Sequence, residues 1–117
     1  MRRLSILAIG GFMLLSSCQA ILDAAIDCAT EAALLNLEAQ EDISNSRRYI
    51  FTLDYSGNKV IEEITYVFGD GNSQTTTSTQ VSHTYTMARE YSVVARIDLK
   101  QGNGTCSLEE TLEIEVN

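Results

Sequence analysis

Histidine occurs once in the 117 residues, proline and tryptophan not at all, and the eight Lys and Arg side chains are outnumbered by sixteen Asp and Glu. One histidine excludes every site that needs two imidazoles from a single chain, including most catalytic zinc centres. A formal charge of −8 leaves no field to attract a phosphate backbone, so nucleic acid is not an expected partner. No apolar stretch reaches the roughly 20 residues that a membrane-spanning helix requires. What is present is an ordinary apolar fraction, 44%, in a chain long enough for one small domain.

The N-terminus reads as an address. Arg2 and Arg3 precede an apolar run from Leu4 to Leu15, which ends in Leu15-Ser16-Ser17-Cys18. A basic start, a short apolar run and small residues describe a secretory signal. The last four positions resemble the bacterial lipobox. That resemblance implies cleavage after Ser17, acylation of Cys18 with diacylglycerol and a further fatty acid such as palmitate, and a lipoprotein anchored in a membrane; the alternative is an ordinary cleaved signal in which Cys18 is incidental. Several acyl chains hold far more firmly than one myristoyl group. Loss of residues 1–17 removes two arginines and no acid, leaving 100 residues at a formal −10. An anionic bilayer would repel such a chain, so the lipid must do the holding. Gln19, where an Asp would signal inner-membrane retention in proteobacteria, points to the outer membrane.

Residues 18–44 are expected to hold the lipidated terminus, a helix and a linker. From residue 19 to about 40 the chain is rich in Ala and Leu; at 100° per residue Asp23, Asp27, Glu31 and Glu38 fall on one side, and Leu22, Ile26, Ala29, Ala33 and Leu37 on another. Its acidic face argues against a membrane-surface helix and for packing on the domain or a partner. Glu41 to Arg48 reads as a polar linker.

From residue 45 to 117 the period becomes two. Tyr49, Phe51, Leu53 and Tyr55 alternate with polar residues or Ile50; Ile64, Tyr66 and Phe68 form a second face, Tyr91 to Leu99 a third, and Leu112, Ile114 and Val116 a fourth. The Thr- and Ser-rich stretch 73–80 suits an exposed edge. Turn clusters at 56–59, 69–72 and 101–104 separate these runs. The fold class is therefore mostly β, a β-sandwich preceded by an N-terminal α-helix.

Three segments carry a family likeness: Tyr66-Val67-Phe68-Gly69-Asp70-Gly71, then His83-Thr84-Tyr85, then Arg89-Glu90-Tyr91-Ser92-Val93-Val94-Ala95-Arg96-Ile97. In order and spacing they resemble the polycystic kidney disease (PKD) domain, an immunoglobulin-like sandwich. The likeness implies structural roles for Tyr66, Phe68, Gly69, Asp70, Gly71, His83, Tyr85 and Tyr91. Gly69 and Gly71 permit a sharp exit from a strand, Asp70 accepts from turn N–H groups, and Tyr91 acts as a tyrosine-corner residue. His83 and Tyr85 are expected to bond neighbouring backbone. The chain departs from the family at Tyr66 (usually Trp), Val67 (usually Asp) and Arg89 (usually Gly), and in having no proline. Arg89 would be costly if its φ were positive.

With Cys18 acylated, Cys28 and Cys106 remain as a candidate disulfide in an oxidising compartment, against free thiols or an intermolecular bond through Cys28. Their bridge would close about 79 residues, a stabilisation of roughly 4–5 kcal/mol on the chain-entropy estimate. No basic group is placed to activate a thiol. Asp70-Gly71-Asn72 begins like a calcium loop but lacks the later ligands, even were Asp54 or Asp98 to contribute, so neither a metal site nor any other cofactor is expected. The acid pairs Glu62-Glu63 and Glu109-Glu110, adjacent in strand-like sequence, should point to opposite faces and share no substrate atom. The chain therefore reads as no enzyme: a lipid-anchored, non-catalytic module for adhesion or binding to protein or polysaccharide, with residues 70–80 and 101–105 as exposed candidates. The alternative is a structural subunit of an envelope complex docking through its helix.

Overall fold

A computed structural model describes residues 28–117. The chain divides into two units, residues 1–30 and 31–117. Of the first, residues 28–30 are described and are helical; residues 1–17, Cys18 and positions 19–27 of the expected helix lie outside the described residues.

In the second unit the helix ends at residue 33 and seven strands follow: β1 (Leu35–Asp42), β2 (Asn45–Tyr55), β3 (Val60–Val67), β4 (Ser73–Thr76), β5 (Gln80–Thr84), β6 (Glu90–Gln101) and β7 (Gly104–Glu115). They form two antiparallel sheets, in the orders β1-β2-β5 and β4-β3-β6-β7. This is the two-layer β-sandwich that the alternation predicts.

The first two elements differ from expectation. Residues 35–42, read as helix and linker, are strand β1, paired with β2 from Leu35↔Tyr55 to Asp42↔Asn45. Ala, Leu and Glu favour a helix locally, but Leu35, Leu37 and Ala39 also alternate. Placing them over the core, with β2 supplying the hydrogen bonds, outweighs a propensity difference of a few tenths of a kcal/mol per residue. The sheet thus begins ten residues before position 45. In place of a linker there is a tight turn, where the Ser44 N–H and hydroxyl both donate to Asp42 Oδ1 at 2.9 Å. The expected acidic helix face also fails at Glu31, which is 6% exposed and accepts a hydrogen bond from the Tyr55 hydroxyl. The adjoining Leu34 carbonyl accepts from the Ser56 N–H at 3.1 Å, which fixes the start of β1 against the end of β2.

The core lies between the sheets. Ile64, Tyr66, Val93, Ala95, Ile97 and Leu99 from one sheet face Leu35, Leu37, Phe51, Leu53 and Val81 from the other, all buried. Each large apolar side chain so removed from water contributes about 1.5–3 kcal/mol before the entropy of ordering it is charged. Within β3 the alternation slips: a bulge between Ile61 and Glu63 keeps Ile61 and Ile64 both toward the core and leaves Glu62 and Glu63 both exposed, so this acid pair does not split between faces as expected. Glu109 and Glu110 do split, the first exposed and the second half-buried beside Leu108 and Leu112. β4 is the short polar edge strand anticipated at 73–80.

Strand β5 carries one buried apolar residue and so shows no period in the sequence. It places His83 opposite Tyr49 on β2, and so brings the second signature segment to the strand end from which β3 turns away.

Candidate functional site

Where β3 ends, Gly69 at φ +90° and Gly71 at φ +93° turn the chain back into β4, through a conformation that side chains beyond glycine rarely adopt. The turn is closed by the Phe68 N–H donating to the Asn72 carbonyl at 3.0 Å. The Asn72 N–H in turn donates to Asp70 Oδ1 at 3.1 Å, the role the signature implies for this acid. At Gly69 a Cβ would stand 2.6 Å from the Ser92 carbonyl oxygen of β6. At Gly71 it would meet nothing within 4 Å. The first glycine is therefore needed for close approach as well as for φ, the second for φ alone.

The other carboxylate oxygen of Asp70 lies 2.7 Å from His83 Nε2, which donates to it. This differs from the expected bond between His83 and backbone. The imidazole also stacks flat on Phe68, with centroids 4.0 Å apart and planes 2° from parallel, and meets the edge of Tyr85 at 4.7 Å. Phe68 continues to Phe51 at 5.7 Å, and Tyr85 stacks on Tyr91 at 4.2 Å. One run of rings thus crosses both sheets. Such contacts add about 0.5–1.5 kcal/mol each to the burial.

The tyrosine hydroxyls are all used within the domain. Tyr85 donates to the Phe68 carbonyl at 2.9 Å, Tyr66 to Ser78 at 2.9 Å, and Tyr91 to Met87, four residues upstream, at 2.8 Å. Tyr91 thus has the tyrosine-corner geometry that the signature implies. Tyr66, in the place of a larger tryptophan, finds the partner its hydroxyl needs; burial pushes its pKa up to about 12. Burial also raises that of Tyr85, helped by the Asp70 charge. Arg89 is not strained, because no described residue other than glycine has a positive φ. Its guanidinium lies 5.6 Å from the Tyr91 ring centre, and its carbonyl accepts from the Val116 N–H at 2.9 Å.

Burial alone would raise the pKa of Asp70, but the hydrogen bonds from His83 and from Asn72 outweigh it and hold the carboxyl below its usual range. A carboxylate depressed in the folded state stabilises above its unfolded pKa, about 3.9, and that contribution disappears as pH falls through the folded value. Asp70→Asn should therefore cost about 1 kcal/mol in urea unfolding at pH 7, and the gap between variant and wild type should narrow as the carboxyl is protonated at acid pH. A gap that stays constant from pH 7 to pH 2.5 would show that the charge is irrelevant.

The pair of Asp70 and His83, each side chain 16% exposed, lies against the Phe68 and Tyr85 rings. Among the described residues no three His, Cys, Asp or Glu side chains converge as metal ligands. Asp54 pairs with Asn36 across the first sheet, and Asp98 accepts from Ser107. Cys28 and Cys106 are both disulfide-bonded. Sequence reasoning missed the partnerships of Asp70 with His83 and of Glu31 with Tyr55; each joins a strand to a turn or helix end that only the tertiary fold brings beside it, and a recognised β5 is needed to reveal the first.

A profile of the PKD domain family matches residues 29–116. Among solved structures, the PKD1 domain from the Vibrio cholerae metalloprotease PrtV superposes with a TM-score of 0.57 at 19% identity, covering 71% of this chain and 94% of that one. The PKD1 domain of Vibrio anguillarum Epp gives a TM-score of 0.48 at 23% identity, covering 71% and 93%. No curated protein matches the chain.

Proposed function

The chain belongs to the PKD domain family, and from that membership we propose that it is a non-catalytic binding or adhesion module of the bacterial envelope, tethered through acylated Cys18 to the outer membrane. PKD domains are in general non-catalytic modules. The observation that carries this reading is how the signature spends its polar groups: the hydroxyls of Tyr66, Tyr85 and Tyr91 and the pair of Asp70 and His83 all satisfy one another or the backbone. The motif builds a rigid sandwich end and leaves recognition to the strands and loops around it. The ligand class is protein or polysaccharide.

We place the disulfide between Cys28 and Cys106. Non-reducing peptide mapping should recover the two in one linked peptide; linkage of Cys28 to a second chain would overturn the assignment.

Site-specific photo-crosslinking in the full chain, in the producing bacterium, tests the function. Crosslinks to an envelope component from sandwich positions such as Thr52 or Thr111 support recognition by the domain. Crosslinks found only from positions 19–33 support the alternative of a structural subunit that docks through its N-terminal segment.

A further inference from the structure

The two ends of the sandwich differ in charge. At one end β2 and β6 finish and β3 and β7 begin, so the β2–β3 turn (residues 56–59) lies beside the β6–β7 hairpin turn (residues 101–104). From Tyr55 to Ile61 and from Leu99 to Cys106 the chain holds no Asp or Glu, but it holds Lys59 and Lys100, the only lysines in the sequence. Lys59 reaches across this end: its Nζ donates to Gln101 Oε1 and its N–H to the Tyr55 hydroxyl at 3.0 Å. Val60, paired with Lys100, is 64% exposed. The signature end is the opposite. Glu41, Asp42, Asp70, Glu90 and Glu115 surround it, and its arginines are engaged by the domain itself. Arg47 donates to the Thr86 and Asn117 carbonyls, Arg48 lies 3.7 Å from Asp42, and Arg89 stands over the Tyr91 ring.

The chain enters the sandwich at the lysine end. Leu35, first in β1, pairs with Tyr55, last in β2, and the Leu34 carbonyl accepts from the Ser56 N–H at 3.1 Å. Glu31, the only acid of residues 28–34, is taken up by the Tyr55 hydroxyl. Thirteen positions separate Glu31 from Cys18, a reach of at most about 45 Å. We propose that the lysine end faces the bilayer and touches its anionic phospholipid headgroups, which turns the signature end outward. This rests on the acyl anchor at Cys18. A negative surface attracts bases and repels acids only within about a Debye length, ~8 Å at physiological salt. At about 3.3 Å per strand residue, the acids of the signature end stand outside that layer when the lysine end is in contact. Turned over, the domain would bring those five carboxylates into it. Asp54, Glu62 and Asp98 begin one residue behind the acid-free stretches and limit the attraction. The contact is therefore weak and depends on the high local concentration that a short tether supplies.

The test is amide line broadening in the acylated protein, held in phosphatidylglycerol-containing nanodiscs that carry a gadolinium-labelled headgroup lipid. Broadening should be strongest at residues 56–60 and 100–104 and weakest at 42–45 and 69–72, and the difference should shrink with added salt. Lys100→Glu, at an exposed position, should reduce that difference at least threefold with the thermal midpoint unchanged. Equal broadening at the two ends, or broadening strongest at the signature end, would overturn the proposal. So would a pattern indifferent to Lys100→Glu and to replacement of phosphatidylglycerol by phosphatidylcholine. Nuclear Overhauser contacts from residues 56–60 to residues 19–27, without lipid broadening, would assign this end to the chain's own N-terminal segment and overturn it as well. Protein that proves to carry no acyl group on Cys18 would remove the anchor, and the proposal with it. Acylated protein that broadens uniformly leaves the anchor standing and defeats this orientation alone.

Discussion

Gly69→Ala should cost roughly 3 kcal/mol of stability and lower the thermal midpoint by roughly 10–20 °C. Two independent penalties act together. The backbone at φ +90° is strained for any L side chain, and the added methyl would stand 2.6 Å from the Ser92 carbonyl oxygen, a main-chain atom of the central strand β6 that cannot swing aside. Gly71→Ala separates the two, because its φ is +93° but its Cβ would enter open space. It should cost only the conformational share, about 1–2 kcal/mol. Equal effects at the two positions would mean that the close approach of the turn to β6 contributes nothing.

Truncating Tyr85 should be more damaging still. The residue is 1% exposed, stacks on Tyr91, meets His83 edge-on, and ties the β5 end to the signature turn through the Phe68 carbonyl. Tyr85→Phe keeps the ring and leaves that carbonyl without its donor, at about 1–2 kcal/mol. Tyr85→Ala adds a cavity where four aromatic rings converge and should cost about 4–5 kcal/mol. For a domain whose whole stability is of order 5–15 kcal/mol, the alanine variant is expected to be largely unfolded near 37 °C, the phenylalanine variant folded. Urea midpoints measure both. A phenylalanine variant as unstable as the alanine one would show that the hydrogen bond, rather than the ring, holds this end together.

These effects concentrate in a region that was partly visible in the sequence. Tyr66, Phe68, Gly69, Asp70, Gly71, His83, Tyr85 and Tyr91 stood out by type and spacing, and the strand faces Tyr49-Phe51-Leu53, Ile64-Tyr66-Phe68 and Tyr91 to Leu99 were legible because each buries one side and wets the other. β1 was not, because Leu, Ala and Glu at alternate positions satisfy a helical stripe and a strand face equally over eight residues. Only the partner strand decides between them. β5 escaped for the opposite reason: as an outer strand of five residues it buries a single apolar side chain, Val81, too little to show a period. The partnerships of His83 with Asp70 and of Tyr55 with Glu31 join residues 13 and 24 positions apart, a strand to a turn and a strand to a helix end, and they follow from the tertiary fold rather than from residue type.

The acidity has acquired a location in the same way. As a net charge it only excluded nucleic acid; in the fold, seven of the sixteen acids lie on β1 and β7, where Arg96 pairs with Glu109 at 2.9 Å and Arg48 lies 3.7 Å from Asp42. Such a flank keeps sheet edges from pairing with their own kind.

The proposed tether through acylated Cys18 is read directly by mass spectrometry of the N-terminal peptide from protein purified out of the producing bacterium. A peptide beginning at Cys18 and carrying the mass of a diacylglyceryl group is the expected result. An unmodified Cys18, or a chain still bearing residues 1–17, would contradict it.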